Sequence, residues 1–191
     1  MSEFSLPLLM DWTILPSGVI AKAWAQTRYR RALLARPRSV LSKHSRRWPT
    51  DRAFVVVEDA RDHRYLPLPA HKEATRSWDE ARTLAVLIEE TAGDTSLRWQ
   101  LPAQVIHRAW TDPQYKRWLC AEGSAALAAM GHETDLAFTI LENTETTYHL
   151  SLPTSPVDTR ALDVGALQRR LQDQFGATPS SQCCASGTCD D

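Results

Sequence analysis

The stretch LPAQVIHRAW, residues 101–110, decides the fold because it repeats an earlier stretch of the chain. Residues 15–24 read LPSGVIAKAW, so Leu-Pro, Val-Ile and Ala-Trp recur at the same spacing. The register continues beyond these segments and, after a two-residue slip, reaches Pro69 in one copy and Pro153 in the other. A repeat of this size marks one structural unit that gains stability by packing on its neighbour. The sequence therefore predicts two related modules that pack on each other.

The first part of each copy predicts helices, and the second copy carries the clearer signals. Residues 105–110 have the apolar spacing of one helical face. Asp112 followed by Pro113 provides a helix cap and a proline at the first helical position, which predicts a second helix through Leu119 and beyond. Gly131 is a suitable point for this helical part to end.

Each copy then predicts a β-hairpin, because two short runs rich in β-branched and aromatic residues flank a polar segment. Pro67 further predicts that the second strand of the first copy lies at a sheet edge, since proline has no backbone N–H to donate. The predicted strands are residues 54–57 and 65–68 in the first copy, and residues 137–141 and 148–152 in the second. The expected class is α+β, with two related helix-plus-β-hairpin modules.

Two more helices complete the prediction. Residues 77–80, Ser-Trp-Asp-Glu, form a capping box that begins one helix, and Asp163 can cap a last helix that runs to Phe175. The helical periodicity disappears after Gly176. We expect a first module with a capped linker helix (residues 1–97), a second module with a C-terminal helix (residues 98–176), and a disordered tail (residues 177–191).

Composition limits the function classes. A hydrophobic content of 43% with seven tryptophans can support a packed core, and a formal net charge of -1 does not point to a nucleic-acid or membrane partner. No apolar run reaches membrane-spanning length, and the opening residues lack the basic start and long apolar stretch of a secretory signal. We expect a folded protein that is made in the cytoplasm and does not insert into a membrane.

The tail differs in composition from the rest of the chain. Residues 177–191 read ATPSSQCCASGTCDD and contain three of the four cysteines, with no aliphatic side chain larger than alanine. Such a segment has little apolar surface to bury and is expected to be disordered. Cys120, far from the other three cysteines in sequence, is expected to be a small buried hydrophobe.

Three features of the second copy form a recognisable pattern: residues 105–116, VIHRAWTDPQYK, the Gly131 turn, and residues 141–144, LENT. This pattern resembles the nitrile hydratase alpha-subunit family, and in particular its offshoot, the nitrile-hydratase-like leader peptides of ribosomally made, modified natural products. In the first copy the resemblance lies in residues 29–37, in residues 64–69 and in the helix at Trp78. It covers most of residues 15–160 and implies a nitrile hydratase alpha-like fold.

One segment departs from the family pattern. In nitrile hydratases the strand after the Glu-Asn-Thr segment leads into a C-x-x-C-S-C claw, whose thiolates and backbone amides hold iron or cobalt. Here residues 150–156 read LSLPTSP, with no cysteine and two prolines. Thiolate ligation is lost, and a proline nitrogen cannot supply an amide ligand. We therefore do not expect metal-dependent nitrile hydration, and we find no other enzyme active site in the sequence.

The resemblance implies a precursor of a thiazole/oxazole-modified, bacteriocin-like peptide, with a folded leader and the tail as core peptide. A cyclodehydratase and a dehydrogenase would cyclise tail side chains, and a peptidase-transporter would cleave near Gly176 and Ala177 and export the product. No cofactor is implied for the chain itself. The first candidates for modification are Cys183, Cys184 and Cys189, followed by Ser186, Thr188, Ser180 and Ser181.

Other interpretations of these residues remain open. Cys183, Cys184 and Cys189 could bind a soft transition metal, which would make the chain a nonenzymatic binding protein or a subunit-like scaffold with a beta-type partner. The tail could also be an unimportant frayed end. His107 and His132 lack partners at metal-ligand spacing and are expected at the surface or hydrogen-bonded in the core, and Trp24 and Trp110 are expected to be core anchors.

Overall fold

The computed structural model describes residues 15–43, 51–91, 100–133, 135–155 and 163–175. The helices in these ranges are α1 (Ser17–Ala25), α2 (Thr27–Ala35), α3 (Pro37–Leu41), α4 (Glu80–Glu90), α5 (Ala103–Thr111), α6 (Pro113–Ala121), α7 (Gly123–Ala128) and α8 (Val164–Phe175). The strands are β1 (Ala53–Glu58), β2 (His63–Leu68), β3 (Ala137–Glu142) and β4 (Thr147–Leu152), and a short 3-10 helix spans Glu73–Thr75. This mixture of helices and strands confirms the predicted class.

The helix signals of the second copy are confirmed. Asp112 caps α6, because its Oδ1 accepts hydrogen bonds from the backbone N–H groups of Gln114 at 2.9 Å and Tyr115 at 3.0 Å. Pro113 occupies the first turn of that helix, where its missing N–H costs nothing. Gly131 follows α7 with a φ of 82°, a left-handed conformation that favours glycine.

The two remaining helix caps had different outcomes. Asp163 caps α8, since its Oδ1 accepts from the N–H of Ala166 at 2.8 Å. The capping box predicted from Ser77 is wrong, because the N-cap of α4 is Asp79, whose Oδ1 accepts from the N–H of Arg82 at 2.8 Å. Both serine and aspartate can cap a helix, so local sequence left the choice between two nearby positions undecided.

The two predicted hairpins are wrong, because no strand pairs with its neighbour in the chain. β1 pairs in parallel with β4, with Ala53 opposite Thr147, and β2 pairs in parallel with β3, with His63 opposite Ala137. Each two-stranded sheet therefore combines one strand from each copy of the repeat. Each strand of the first copy lies 84 positions before the equivalent strand of the second. The pairing of Ala53 with Thr147 is therefore equivalent to the pairing of His63 with Ala137.

The corners that join consecutive strands explain why the sequence wrongly predicted hairpins. Asp59 Oδ1 accepts the backbone N–H of Tyr65 at 2.9 Å, and the corresponding Asn143 Oδ1 accepts the N–H of His149 at 2.7 Å. A polar segment turns the chain in each copy, as the sequence indicates. The Asp59 or Asn143 side chain in it accepts a hydrogen bond from a backbone N–H of the following strand. Which strand lies alongside is decided by contacts distant in sequence, which the turn residues do not encode.

The described residues form two compact units, one containing Leu15 and those within 32–154, the other containing residues 16–31 and those within 155–175. The larger unit contains all four strands and one continuous hydrophobic core. The fully buried residues of that core include Leu66, Leu68, Leu87, Leu101, Val105, Ile106, Leu119 and Leu127. In the described ranges, no helix combines the length and the apolar character needed to cross a membrane.

Two pairs of packed helices, one in each unit, occupy equivalent places in the repeat. α4 packs on α5 in the larger unit, and α1 packs on α8 in the smaller one. The buried residues Thr83 and Leu87 of α4 correspond to the buried Leu167 and Leu171 of α8. The repeat therefore extends through the last helix, and the end of each copy packs on the start of the other.

Candidate functional site

The predicted tail site lies outside the residues that the structure describes. This holds for all the candidate modification residues and for the cleavage position at Gly176 and Ala177. The modification residues are Cys183, Cys184, Cys189, Ser186, Thr188, Ser180 and Ser181.

The sequence resemblance places the metal claw at residues 150–156, which are the end of β4 and the residues after it. Leu150, Ser151, Leu152 and Pro153 are buried, and the two leucines are completely inaccessible to solvent. They continue the hydrophobic interior, as Leu66 and Leu68 do at the equivalent positions of β2. Aliphatic side chains and a proline do not fit an iron or cobalt ion that requires thiolates and backbone amides. Nor do the described residues contain any group of three His, Cys, Asp or Glu that could hold a metal ion.

A polar cluster closes the corner between β1 and β2 beside this segment. Arg64 Nη1 donates to Asp59 Oδ2 at 3.3 Å and to Thr154 Oγ1 at 3.1 Å. The Thr154 hydroxyl lies 3.1 Å and 3.0 Å from the backbone carbonyl oxygens of Asp59 and Ala60, to which it can donate. The cluster ties the end of β4 to the first corner, where the Thr154 hydroxyl bridges an arginine and two carbonyls.

The environment of the Asp59 carboxyl group disfavours its charged form. Only 4% of its side chain is exposed, and this burial raises its pKa above the ordinary value. The N–H of Tyr65 and the guanidinium of Arg64 act in the opposite direction and lower the pKa, but burial outweighs them. Asp59 is therefore a buried structural carboxyl group, held by a backbone donor and one cation.

Cys120 is the single cysteine in the described ranges, and it is half-buried against the core. Burial raises the pKa of its thiol, the nearby carboxylate of Glu142 raises it further, and Lys116 opposes these effects. A thiol with a raised pKa has little thiolate at neutral pH and is a poor nucleophile. The geometry is consistent with Cys120 as a small packed side chain.

The larger unit has a cavity of about 440 Å³ at the start of α4 and along α5. Its walls contain two tryptophans, two histidines and two arginines, with one carboxylate. The lining residues are His71, Arg76, Trp78, Glu80, Thr83, Leu84, Gln104, His107, Arg108, Trp110 and Thr111. This concave site carries polar and aromatic groups together.

One wall of the cavity is a stacked pair of rings. The His71 imidazole lies parallel to the Trp110 indole, with centroids 4.5 Å apart and planes 6° apart. Trp110 Nε1 donates to the carbonyl of Pro69 at 2.8 Å, which fixes the indole plane. Burial lowers the pKa of His71, and the positive charge of Arg76 lowers it further, so the ring is neutral at pH 7. The Nε2 atom of His71 is buried and has no hydrogen-bond partner.

The histidines and tryptophans considered in the sequence analysis differ in whether they line the cavity. His107 lines the cavity, and Trp110 combines packing against the core with a place in the cavity wall. His132 and Trp24 are partly exposed and lie elsewhere. The sequence analysis missed the cavity, although one signal was present. His107 and Gln104 stand where the first copy has Ala21 and Gly18, so polar groups replace small residues on one helical face.

Comparisons with known proteins agree with this architecture. Residues 89–156 match the family model described as nitrile hydratase, alpha chain. Two solved structures are similar, and both are double mutants of the Fe-type nitrile hydratase from Comamonas testosteroni Ni1. Two histidines are replaced by tryptophan in the first and by alanine in the second. One is 15% identical, with a TM-score of 0.52, and the match covers 95% of this chain and 82% of that one. The other is 13% identical, with a TM-score of 0.49, and the match covers 80% of this chain and 65% of that one.

No curated protein matches the chain. The family match confirms the resemblance to the nitrile hydratase alpha subunit for residues 89–156, and the first of these solved structures is similar in fold to almost the whole chain. The chain thus has a nitrile hydratase alpha-like scaffold, in which the end of β4 consists of buried, mainly apolar residues.

Proposed function

We propose that this nitrile hydratase alpha-like scaffold is the folded leader of a ribosomally synthesised precursor peptide, and that residues 177–191 are the part that becomes the product. In this proposal the chain is a substrate for modifying enzymes and is itself no enzyme. It needs no cofactor of its own. The product is a bacteriocin-like peptide that carries thiazole or oxazole rings.

The observation that carries the proposal is where the cysteines lie. Residues 150–156, at the position of the claw, contain no cysteine, whereas Cys183, Cys184 and Cys189 lie within seven residues of one another. Leu150 and Leu152 are fully buried in the core, so they support the scaffold and offer no ligand. A scaffold that lacks its family's ligands has no reason to share its activity. If modifying enzymes instead recognise the scaffold and act on the tail, the segment of small residues and thiols beyond α8 has a function.

The chemistry suits that segment. A cysteine thiol attacks the carbonyl carbon of the preceding residue, so that a carbon–sulfur bond forms. The carbonyl oxygen leaves as water with the thiol and amide protons, which leaves a ring containing a carbon–nitrogen double bond. A dehydrogenase then removes a hydride and a proton to its oxidised flavin and makes the ring aromatic. Serine and threonine react in the same way through oxygen. Ala185 and Gly187 leave the carbonyls before Ser186 and Thr188 uncrowded.

The partners follow from the same chemistry. A cyclodehydratase and a dehydrogenase act on the tail, and a peptidase-transporter cleaves near Gly176 and Ala177. The precursor resides in the cytoplasm, and the processed tail is exported. Cys183, Cys184 and Cys189 react first because a thiol ionises more readily than a hydroxyl group.

Intact mass tests the proposal directly. The chain is made together with the modifying enzymes encoded beside its gene, and its mass should fall by about 18 Da for each ring, or by about 20 Da after oxidation. Changing Cys183, Cys184 and Cys189 together to alanine should abolish most of the loss. Cys120→Ala is the matched control and should leave the loss unchanged, because Cys120 is packed against the core.

Two outcomes would contradict the proposal. One is an unchanged tail mass in the presence of a cyclodehydratase that is active on another substrate. The other is tight, stoichiometric uptake of a soft transition metal that is lost when the three tail cysteines become serine. The second result would identify a metal-binding protein.

A further inference from the structure

The cavity between α4 and α5 has an excess of positive charge. Arg76 and Arg108 line it, and Glu80 is its one carboxylate. In the described part of the chain, no carboxylate forms an ion pair with either arginine. Arg108 instead lies over the ring of Tyr115 at 4.4 Å and donates to Met130 Sδ at 3.1 Å. These soft partners orient the guanidinium without neutralising it.

The aromatic walls are held in place before any ligand arrives. Trp110 is fixed by its bond to the Pro69 carbonyl and by its stack on His71. On the other side, the guanidinium of Arg82 lies 3.9 Å from the ring centre of Trp78. Planar apolar walls beside a few fixed polar groups are the usual composition of a small-molecule site. They favour a flat ligand over a flexible chain.

The equivalent helix pair, α1 with α8, has small or aliphatic residues at the corresponding positions. His107 corresponds to Ala21, which is completely buried, and Thr83 corresponds to Leu167, which is 1% exposed. Gln104 corresponds to Gly18, where an added Cβ would already lie 3.5 Å from the side chain of Gln168. The repeat can therefore pack α1 on α8 with small and aliphatic residues. The pair formed by α4 and α5 instead places polar groups around an open volume.

From these observations we propose that the cavity is a binding site for a small planar anion, an aromatic or heteroaromatic carboxylate. The carboxylate accepts hydrogen bonds from the guanidinium groups of both Arg76 and Arg108, and its ring lies against the indole rings of Trp110 and Trp78. The cavity of about 440 Å³ has room for one bicyclic ring system. The residues that line this site are not tail residues, and the proposed binding does not depend on whether the tail is modified.

Titration of the full chain with indole-3-carboxylate tests this site, followed by NMR on the seven tryptophan indole N–H signals. Indole-3-carboxamide is the matched uncharged ligand. We expect saturable shifts of the Trp110 and Trp78 signals with the carboxylate, and binding at least about tenfold weaker with the amide, because the charge-assisted hydrogen bonds are lost.

Matched arginine variants identify the anion's partners. Arg76→Gln and Arg108→Gln should each weaken carboxylate binding by about tenfold. Arg117→Gln is the control, since Arg117 is exposed on α6 and does not line the cavity, and it should bind as the wild type does. Arg76 is also exposed, so its variant is expected to fold, and an unchanged melting temperature confirms that.

Three results would overturn the proposal. They are the absence of saturable shifts at millimolar ligand, equal binding of carboxylate and amide, and equal weakening by Arg117→Gln and Arg76→Gln. In none of these cases would the tail chemistry be affected. Conversely, a tail that is never cyclised would leave the binding result unchanged.

Discussion

The corner between β1 and β2 and the corner between β3 and β4 share one hydrogen-bond pattern but differ in charge. Asp59 and Asn143 each bind the N–H of the residue six positions later through Oδ1. Asp59 also receives Arg64, which bridges to Thr154. In the other copy, the residue at the position of Arg64 is Tyr148, and Asn143 Nδ2 is buried without a hydrogen-bond partner.

The difference shows which features of the repeat are structural. The backbone contact through Oδ1 is present in both copies, so it belongs to the scaffold. The charge of Asp59 and its hydrogen bond from Arg64 are specific to the first corner, because asparagine and tyrosine stand at the equivalent positions 143 and 148. The same division holds for the helix pairs, of which α1 with α8 is packed by small and aliphatic residues and α4 with α5 surrounds an open volume.

The largest expected effect tests whether the copies contribute equally to the core. Leu66→Ala and Leu150→Ala remove equivalent side chains that are 1% and 0% exposed. Each should lower the free energy of unfolding by about 2–5 kcal/mol, measured by urea denaturation, because a buried cavity replaces the side chain. A cost below about 1 kcal/mol for either variant would show that its copy does not share in the core.

A smaller effect is expected from two helical glycines that differ in their surroundings. A Cβ on Gly123 would lie 2.8 Å from the carbonyl oxygen of Phe138 and 3.1 Å from Ile140 Cγ1. Gly123→Ala should therefore cost about 1–3 kcal/mol of unfolding free energy by forcing α7 away from β3. Gly18→Ala, where the nearest atom is at 3.5 Å, should instead stabilise α1 by up to about 1 kcal/mol. If both variants shifted stability in the same direction, close packing at Gly123 would not be the cause.

The pH dependence of stability tests the charge difference between the corners. Because burial raises the pKa of Asp59, the folded state holds that proton more tightly than the unfolded chain does. The contribution of Asp59 to stability is therefore greatest below the ordinary pKa of about 3.9, and it declines as the pH rises through the raised value. Asp59→Asn, which copies the other corner, removes this contribution.

Urea unfolding of both proteins across this range measures the effect. The stability of the wild type minus that of Asp59→Asn should fall from pH about 3.5 to pH about 7. Asn143→Ser is a control that alters the neutral corner and should add no acidic titration. A difference that increases with pH would mean that the Arg64 ion pair outweighs burial.

The smallest expected effect is at the ion pair that joins α6 to β3. Lys116 Nζ lies 2.8 Å from Glu142 Oε1, but the two side chains are 35% and 45% exposed. Lys116→Gln should cost at most about 1 kcal/mol, and the cost should decrease in high salt, because water and ions already screen the pair. A cost that persists unchanged at high salt would point to packing by the lysine stem.

Local sequence predicted the elements better than their partners. The Asp112 cap, the Gly131 turn and the four strands were readable because each depends on residues within one turn or one strand. The hairpins were wrong because a turn signal specifies that the chain reverses and does not specify which strand it then meets. The cavity was missed because its lining residues come from positions 71–84 and 104–111, and neither segment alone indicates an open volume.

The sequence by itself determined the repeat, the mixed class of the fold, the loss of the claw cysteines and the concentration of thiols after α8. These follow from residue identity and spacing, which need no partner. The tertiary structure alone decided that β1 pairs with β4 and β2 with β3, that Asp59 is buried beside Arg64, and that α4 and α5 surround a cavity. Burial, strand partners and cavities depend on contacts between distant segments, and two nearly equivalent copies offer more than one set of such contacts.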